Sequence, residues 1–125
     1  MKFIINHIPV SSKNEYGMAN GRMFLRADIK KYYTNAVMQL REQMKLYNDC
    51  VFPILSDIGC MFTFYVPDFR RDFINLLSAP ADALQKAGIV KNDRQIKCVD
   101  RSRPAGIDKD NPRTEIEIYK IKEEK

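Results

Sequence analysis

Residues 56–66 read Ser-Asp-Ile-Gly-Cys-Met-Phe-Thr-Phe-Tyr-Val. Side chains along a strand point to opposite sides with a period of two, so Ile58, Cys60, Phe62, Phe64 and Val66 share one face. The other face carries Gly59, Met61, Thr63 and Tyr65 and is also mostly apolar. A strand apolar on both faces belongs in the middle of a sheet, covered on each side by a helix or a partner subunit. This stretch therefore sets the fold class, a sheet with helices packed on it.

Forward of that strand, Pro67-Asp68-Phe69-Arg70-Arg71 turns the chain. Residues 72–87 follow as a helix, ended by Gly88 as its C-cap glycine. Pro80 removes an intrahelical hydrogen bond. It therefore kinks the helix, or splits it near Leu77 and stands in the first turn of a second one. Residues 95–101 and 114–121 read as two closing strands around a long polar loop at 104–112, and 122–125 as a frayed tail. Backward, residues 27–47 form the clearest helix, with Ile29, Tyr33, Val37, Leu40, Met44 and Tyr47 on one stripe. Residues 2–9 read as a first strand stopped by Pro9, residues 10–21 as a polar loop, and 22–25 as a short strand after the Asn20-Gly21 turn. The order predicts an α/β (α+β) fold: a mixed sheet of about four to five strands with two main helices covering its faces.

The 125 residues, 45% hydrophobic and 30% charged, suit one domain over 1–125 and exclude a disordered or low-complexity chain. No apolar run approaches the roughly 20 residues of a membrane helix. The start, Met1 to His7, is too short and polar for a secretory signal. A soluble protein of the cell interior is expected, with no membrane partner. The net charge is +5, from 21 Lys and Arg against 16 Asp and Glu. Residues 1–64 hold 8 basic and 5 acidic side chains, and residues 65–125 hold 13 and 11. Nucleic acid is the first partner such a balance suggests, although a mixed basic surface also suits many small soluble proteins. The three cysteines, Cys50, Cys60 and Cys98, form no CxxC pair, and His7 is the one histidine, so neither zinc nor a disulfide framework is expected. Cys60 reads as a buried free thiol.

No glycine-rich phosphate loop and no GxSxG or HExxH motif is present. Carboxylates beside arginines remain. Asp68 and Asp72 flank Arg70-Arg71 at the end of the central strand, Asp82 follows ten residues after Asp72, and Asp93 stands in the loop past the helix. A strand end, a helix start and a following loop can bring Asp72 and Asp93 together. Converging carboxylates repel one another, and Mg²⁺ relieves that repulsion through oxygen ligands while keeping several waters. Beside a phosphate it would polarise the phosphorus centre, with Arg70 and Arg71 on flanking phosphates. The competing reading makes Asp72 a helix cap and pairs Asp68 with a neighbouring arginine.

Residues 67–93, PDFRRDFINLLSAPADALQKAGIVKND, resemble the signature of the RusA-type Holliday junction resolvases, a family common in prophages. That pattern is roughly P-D-x-R-R-D-x-D-N-L, then D-A-L-x-K-A-G on a helix, then a loop ending in an acid. The chain supplies Pro67, Asp68, Arg70, Arg71, Asp72, Asn75 and Leu76, then Asp82-Ala83-Leu84, Lys86-Ala87-Gly88, and Asp93. The resemblance implies a homodimeric, cytoplasmic enzyme of a bacterial host cell that binds four-way junctions in double-stranded DNA. It implies symmetric cutting with Mg²⁺, Mn²⁺ being a possible substitute, and no small-molecule cofactor.

By position, the resemblance implies Asp72, Asp93 and Asp82 as catalytic acids and Asp72, Asp93 and Asp68 as metal ligands. Arg70, Arg71, Lys86, Lys91 and Asn75 are the expected DNA contacts. Two residues depart from the pattern: Ile74 stands where the family has a second acid, and Ser78 where it has a lysine. Isoleucine cannot ligate a cation, and serine carries no charge to a phosphate. Three readings follow: another acid replaces the missing ligand, the enzyme is slow, or the fold binds branched DNA without cutting it.

Overall fold

Strand β4 (Ile58–Val66) is central in a five-stranded sheet, as its double apolar pattern predicts. The computed structural model of the chain describes residues 1–8, 16–19, 22–25, 27–67 and 73–121. On one side of β4 lies β7 (Arg113–Lys120), antiparallel, in register from Ile58 opposite Lys120 to Tyr65 opposite Arg113. Strand β1 (Lys2–Ile5) pairs antiparallel with β7 at the edge, so it stops short of the 2–9 strand read from sequence.

Two short strands share the other side of β4, both parallel to it. Strand β5 (Ile96–Cys98) runs beside Ile58 and Gly59, and β6 (Arg103–Ile107) beside Thr63 to Val66. The expected strand over 95–101 covers only three residues, and the expected loop at 104–112 begins as a strand. Pro104 and Gly106 give that segment weak strand propensity. The edge of β4 nevertheless offers backbone groups that must find partners, and residues 103–107 supply them.

Strands β2 (Tyr16–Ala19) and β3 (Arg22–Leu25) form a separate antiparallel hairpin with Ala19 opposite Arg22. The 22–25 strand is found, and residues 16–19, read as loop, are its partner. A two-residue connection favours that pairing. The Asn20-Gly21 turn itself lies outside the described residues, as do Pro9 and the tail 122–125.

Helices α1 (Ala27–Met44) and α2 (Phe73–Ala87) pack on one face of the sheet. Ala36 and Leu40 of α1 and Leu76, Ala83 and Leu84 of α2 join Phe3, Ile5, Cys60, Phe62, Phe64, Ile116 and Ile118 in a single buried cluster. Of the helix or partner subunit expected on each face of β4, the described residues supply helices on one face only. Met61, Thr63 and Tyr65 are only half-buried, among the long side chains of β7. Arg113 lies over the Tyr65 ring at 3.8 Å and pairs with Asp108 at 3.0 Å and Glu115 at 2.9 Å. Long charged side chains shield this face with their stems.

The buried row of α1 is Ile29, Tyr32, Ala36 and Leu40, while Tyr33, Val37 and Met44 of the predicted stripe are half-buried. The offset arises because the neighbouring stripe serves the sheet edge. Gln39 Oε1 accepts the Asn6 N–H at 2.6 Å. Gln43 accepts from the Ile4 N–H at 2.7 Å and donates to the Ile4 carbonyl at 2.6 Å. The Tyr47 hydroxyl accepts from Lys2 N–H and donates to Lys2 O, both at 2.9 Å. Four helical residues rise about 6 Å and two strand residues about 6.8 Å, so Gln39 and Gln43 meet alternate peptides of β1, and Tyr47, in the turn past the helix, continues the row.

Helix α2 runs uninterrupted through Pro80, so of the kink or split read from sequence the split is not found. Pro80 is buried with Leu76, Ala79, Ala83, Leu84 and Ala87. That apolar packing outweighs one missing hydrogen bond. Gly88 closes the helix with φ +85, its N–H donating to Gln85 O at 3.0 Å, while Ile89 N–H donates to Leu84 O at 3.0 Å. These are the two bonds of a Schellman cap, which requires the left-handed residue glycine accepts most readily. Among the described residues no helix is long and apolar enough to cross a membrane.

Candidate active site

Past Gly88 the chain is fastened by polar side chains. Ile54 N–H donates to Ile89 O at 2.8 Å, and Asn92 caps a single 3₁₀ turn, Asp93–Gln95, by accepting the Arg94 N–H at 2.9 Å. Gln95 Oε1 accepts the N–H groups of Lys91 (3.0 Å) and Asn92 (2.9 Å), and its amide nitrogen donates to the carbonyls of Ile54 (2.7 Å) and Ser56 (2.9 Å). Gln85, on the last turns of α2, accepts the Asp93 N–H at 3.0 Å. Asp93 is thereby held at its backbone while its carboxylate is exposed. Among the described residues that carboxylate has no hydrogen bond or ion pair to a side chain.

Asp93 stands on the wall of a shallow groove of about 330 Å³. Leu77, Ser78 and Ala81 of α2 form one side, and Phe62, Ile96 and Val99 form the floor and the other side. Among the described residues, Asp93 carries the one charge in this lining, and Ser78 is the other polar group. The structure thus brings the loop acid and the serine at the expected lysine position to the same groove. The rest of the described lining is apolar.

The remaining sequence-predicted residues fall as follows. Asp68, Arg70, Arg71 and Asp72, with Phe69, lie outside the described residues. Ile74 and Asn75 are in the first turn of α2, Ile74 four residues before Ser78. Asp82 is half-exposed on α2 and is not among the described residues lining the groove. Lys86 is in the last turn of α2, its ammonium 5.1 Å from the centre of the Tyr33 ring and its carbonyl receiving a 3.4 Å hydrogen bond from Arg41. Lys91 is exposed just beyond the cap. Among the described residues no group of three or more His, Cys, Asp or Glu side chains could hold a metal ion.

The positioning residues around the groove were not singled out from sequence. Gln85 and Gln95 are two such residues. Gln95 had a legible signal, because Asn92 and Gln95 have the spacing of a capping box. Gln85 had none, since its partner is a backbone N–H eight residues away in a different element. Cys60 is buried as expected, and burial pushes its thiol up to about 12, far from any nucleophilic role.

Two comparisons bear on this geometry. The family model described as Endodeoxyribonuclease RusA matches residues 7–119. A protein of Aquifex aeolicus (strain VF5) named Crossover junction endodeoxyribonuclease RusA is 31% identical over 99 residues, which cover 77% of this chain and 74% of that one.

Proposed function

The chain belongs to the Endodeoxyribonuclease RusA family, and from that premise we propose that it is a divalent-metal-dependent endonuclease that resolves four-way DNA junctions. The observation that carries this reading is Asp93: a backbone-anchored, exposed carboxylate with no competing side-chain cation among the described residues, on a groove against the signature helix. An oxygen donor so placed suits a hard cation such as Mg²⁺. Asp93 and Asp72 would hold it, with Asp68 as a further ligand and Asp82 as an accessory acid on the same helix. When bound, Mg²⁺ would neutralise charge on the phosphodiester and lower the pKa of an attacking water. The chain itself contributes position: Gln85 and the Asn92–Gln95 cap fix Asp93.

Arg70, Arg71, Lys91, Lys86 and Asn75 are proposed as contacts to the sugar-phosphate backbone, which orient a duplex without reading bases. A homodimer would present two such surfaces to the two-fold face of a junction, and the expected origin is phage or prophage. Exposed Leu46, Val51 and Leu55 leave apolar surface available for such an assembly.

A second reading, junction binding without cleavage, is favoured by one observation. Ser78 lines the groove beside Asp93 where the resemblance expects a lysine, so the described walls carry no cation. The deciding experiment incubates a synthetic four-way junction with the protein, with and without Mg²⁺. Symmetric nicks that need Mg²⁺ and disappear in Asp72→Asn support the nuclease. A junction that is retarded selectively over linear duplex yet never cut supports the binding protein. If the protein then gains cutting in the double variant Ile74→Asp with Ser78→Lys, the scaffold is that of a nuclease with a reduced site.

A further inference from the structure

The four residues between β5 and β6 are held from three strands at once. Ser102 N–H closes the turn on Val99 O at 3.2 Å. The Ser102 hydroxyl accepts the Phe62 N–H of β4 at 2.9 Å, filling the gap in the ladder where neither β5 nor β6 pairs. Asp100 accepts from the Tyr119 hydroxyl of β7 and from Cys98 Sγ at 3.1 Å. Tyr119 reaches across because Gly59 lies beneath it: any Cβ at that position would collide with the Tyr119 ring. The ladder shifts register between Ile58 and Gly59, which sets Cys98 opposite Gly59, beside this pair.

What the turn holds in place is Arg101. Its φ is +62, the one left-handed non-glycine among the described residues, a conformation that L side chains rarely adopt. Arg101 is exposed and makes no hydrogen bond to a described residue; its chain neighbour Asp100, which feels its charge, is hydrogen-bonded by Tyr119 and Cys98. Val99, at the start of the same turn, lines the Asp93 groove. A left-handed residue in an anchored turn that reaches the groove through Val99 is a reason to ask what its side chain does there.

We propose that the Val99–Ser102 turn is a phosphate clamp for the groove, holding Arg101 at its rim so that the guanidinium takes a backbone phosphate of the bound DNA next to Asp93. A guanidinium suits this role because its planar fork binds phosphate oxygens in pairs and never loses its charge. Arg101 supplies the cation that Ser78 does not. Ser102, Asp100 and Tyr119 are positioning residues, acting through the turn. This inference rests on the DNA-junction reading above and adds a residue to that site.

The test is a fluorescence-anisotropy titration of a labelled four-way junction without Mg²⁺, so that nothing is cut, repeated across about 50–200 mM salt. Glycine suits the left-handed backbone, so Arg101→Gly keeps or raises the thermal midpoint and removes only the side chain. The expected result is junction affinity about 3- to 10-fold weaker at low salt, with the log–log salt slope smaller by about 0.9. Arg101→Lys retains the slope. Tyr119→Phe weakens binding in the parent chain and has no effect once Arg101 is glycine, a coupling that a merely structural tyrosine would not show. Parent-like affinity and slope in Arg101→Gly overturn the clamp alone. Failure of the parent chain to bind the junction at all overturns the clamp and the junction reading together.

Discussion

Gln85 Oε1 accepts the backbone N–H of Asp93 at 3.0 Å, tying the end of the signature helix to the turn that carries the acid. Gln85→Ala removes an acceptor from a solvent-accessible N–H, so the fold loses about 1 kcal/mol or less. The acid loses its fixed position, and cleavage falls about 10-fold or more, because small misplacements of a catalytic group are costly. Single-turnover rates beside junction affinities check this. The rate falls while affinity holds, and equal loss of both would contradict a positioning role.

Gly59 is a second contact point. Gly59→Ala drives a methyl group into the Tyr119 ring, and the ring must swing off Asp100. The expected cost is about 1–3 kcal/mol, as for other overpacked positions. Gly59→Ala combined with Tyr119→Ala costs less than the sum of the single changes, because the collision no longer exists. Chemical denaturation of the four proteins measures this, and strict additivity would show that the two residues do not meet.

At the opposite edge, Gln43 stands in for a neighbouring strand by exchanging two hydrogen bonds with Ile4. Gln43→Leu keeps a side chain of similar length and leaves both peptide groups to water. The urea midpoint falls by an amount equivalent to about 1–2 kcal/mol. An unchanged midpoint would mean that β1 is held by β7 alone.

His7 titrates with a predictable sign. Burial lowers its pKa below 6.5, opposed by a hydrogen bond to the Tyr32 carbonyl. Its ring contacts are Tyr32 O through Nε2 and the Gln39 amide nitrogen at Nδ1, both at 3.4 Å, which suit a neutral ring protonated on Nε2. The unfolded chain takes up a proton near pH 6.5, before the folded chain does. Stability contributed by this group is therefore complete above pH 6.5, and it falls as the pH drops towards the lower folded value. Thermal midpoints measured between about pH 7.5 and 5.5 fall more in the parent than in His7→Gln. Parallel curves would remove His7 from the pH response.

Sequence periodicity revealed those elements whose side chains alternate or repeat cleanly: β4, the two helices and the Gly88 stop. It failed where backbone need overrides side-chain preference. Strand β6 contains Pro104 and Gly106 and exists because β4 offers it an edge, which no local pattern announces. Pro80 reads as a kink or a split, but it is buried and α2 runs through it. In α1, Gln39 and Gln43 look like solvent-facing residues, whereas they serve a strand more than thirty residues earlier. At the site, the acid in the loop and the serine on the helix were legible as motif positions, and the structure places both on one groove. The glutamines and the clamped turn that set its shape were not, because each acts through a partner distant in the chain.

Cleavage, as proposed, depends above all on Asp93 on the α2 groove. The most direct measurement is Mg²⁺-dependent nicking of a four-way junction by the parent chain, Asp93→Asn and Asp82→Asn at matched concentration. The account predicts symmetric nicks from the parent, none from Asp93→Asn, and reduced but measurable nicking from Asp82→Asn, which lies off the groove wall. Parent-like nicking by Asp93→Asn would contradict it.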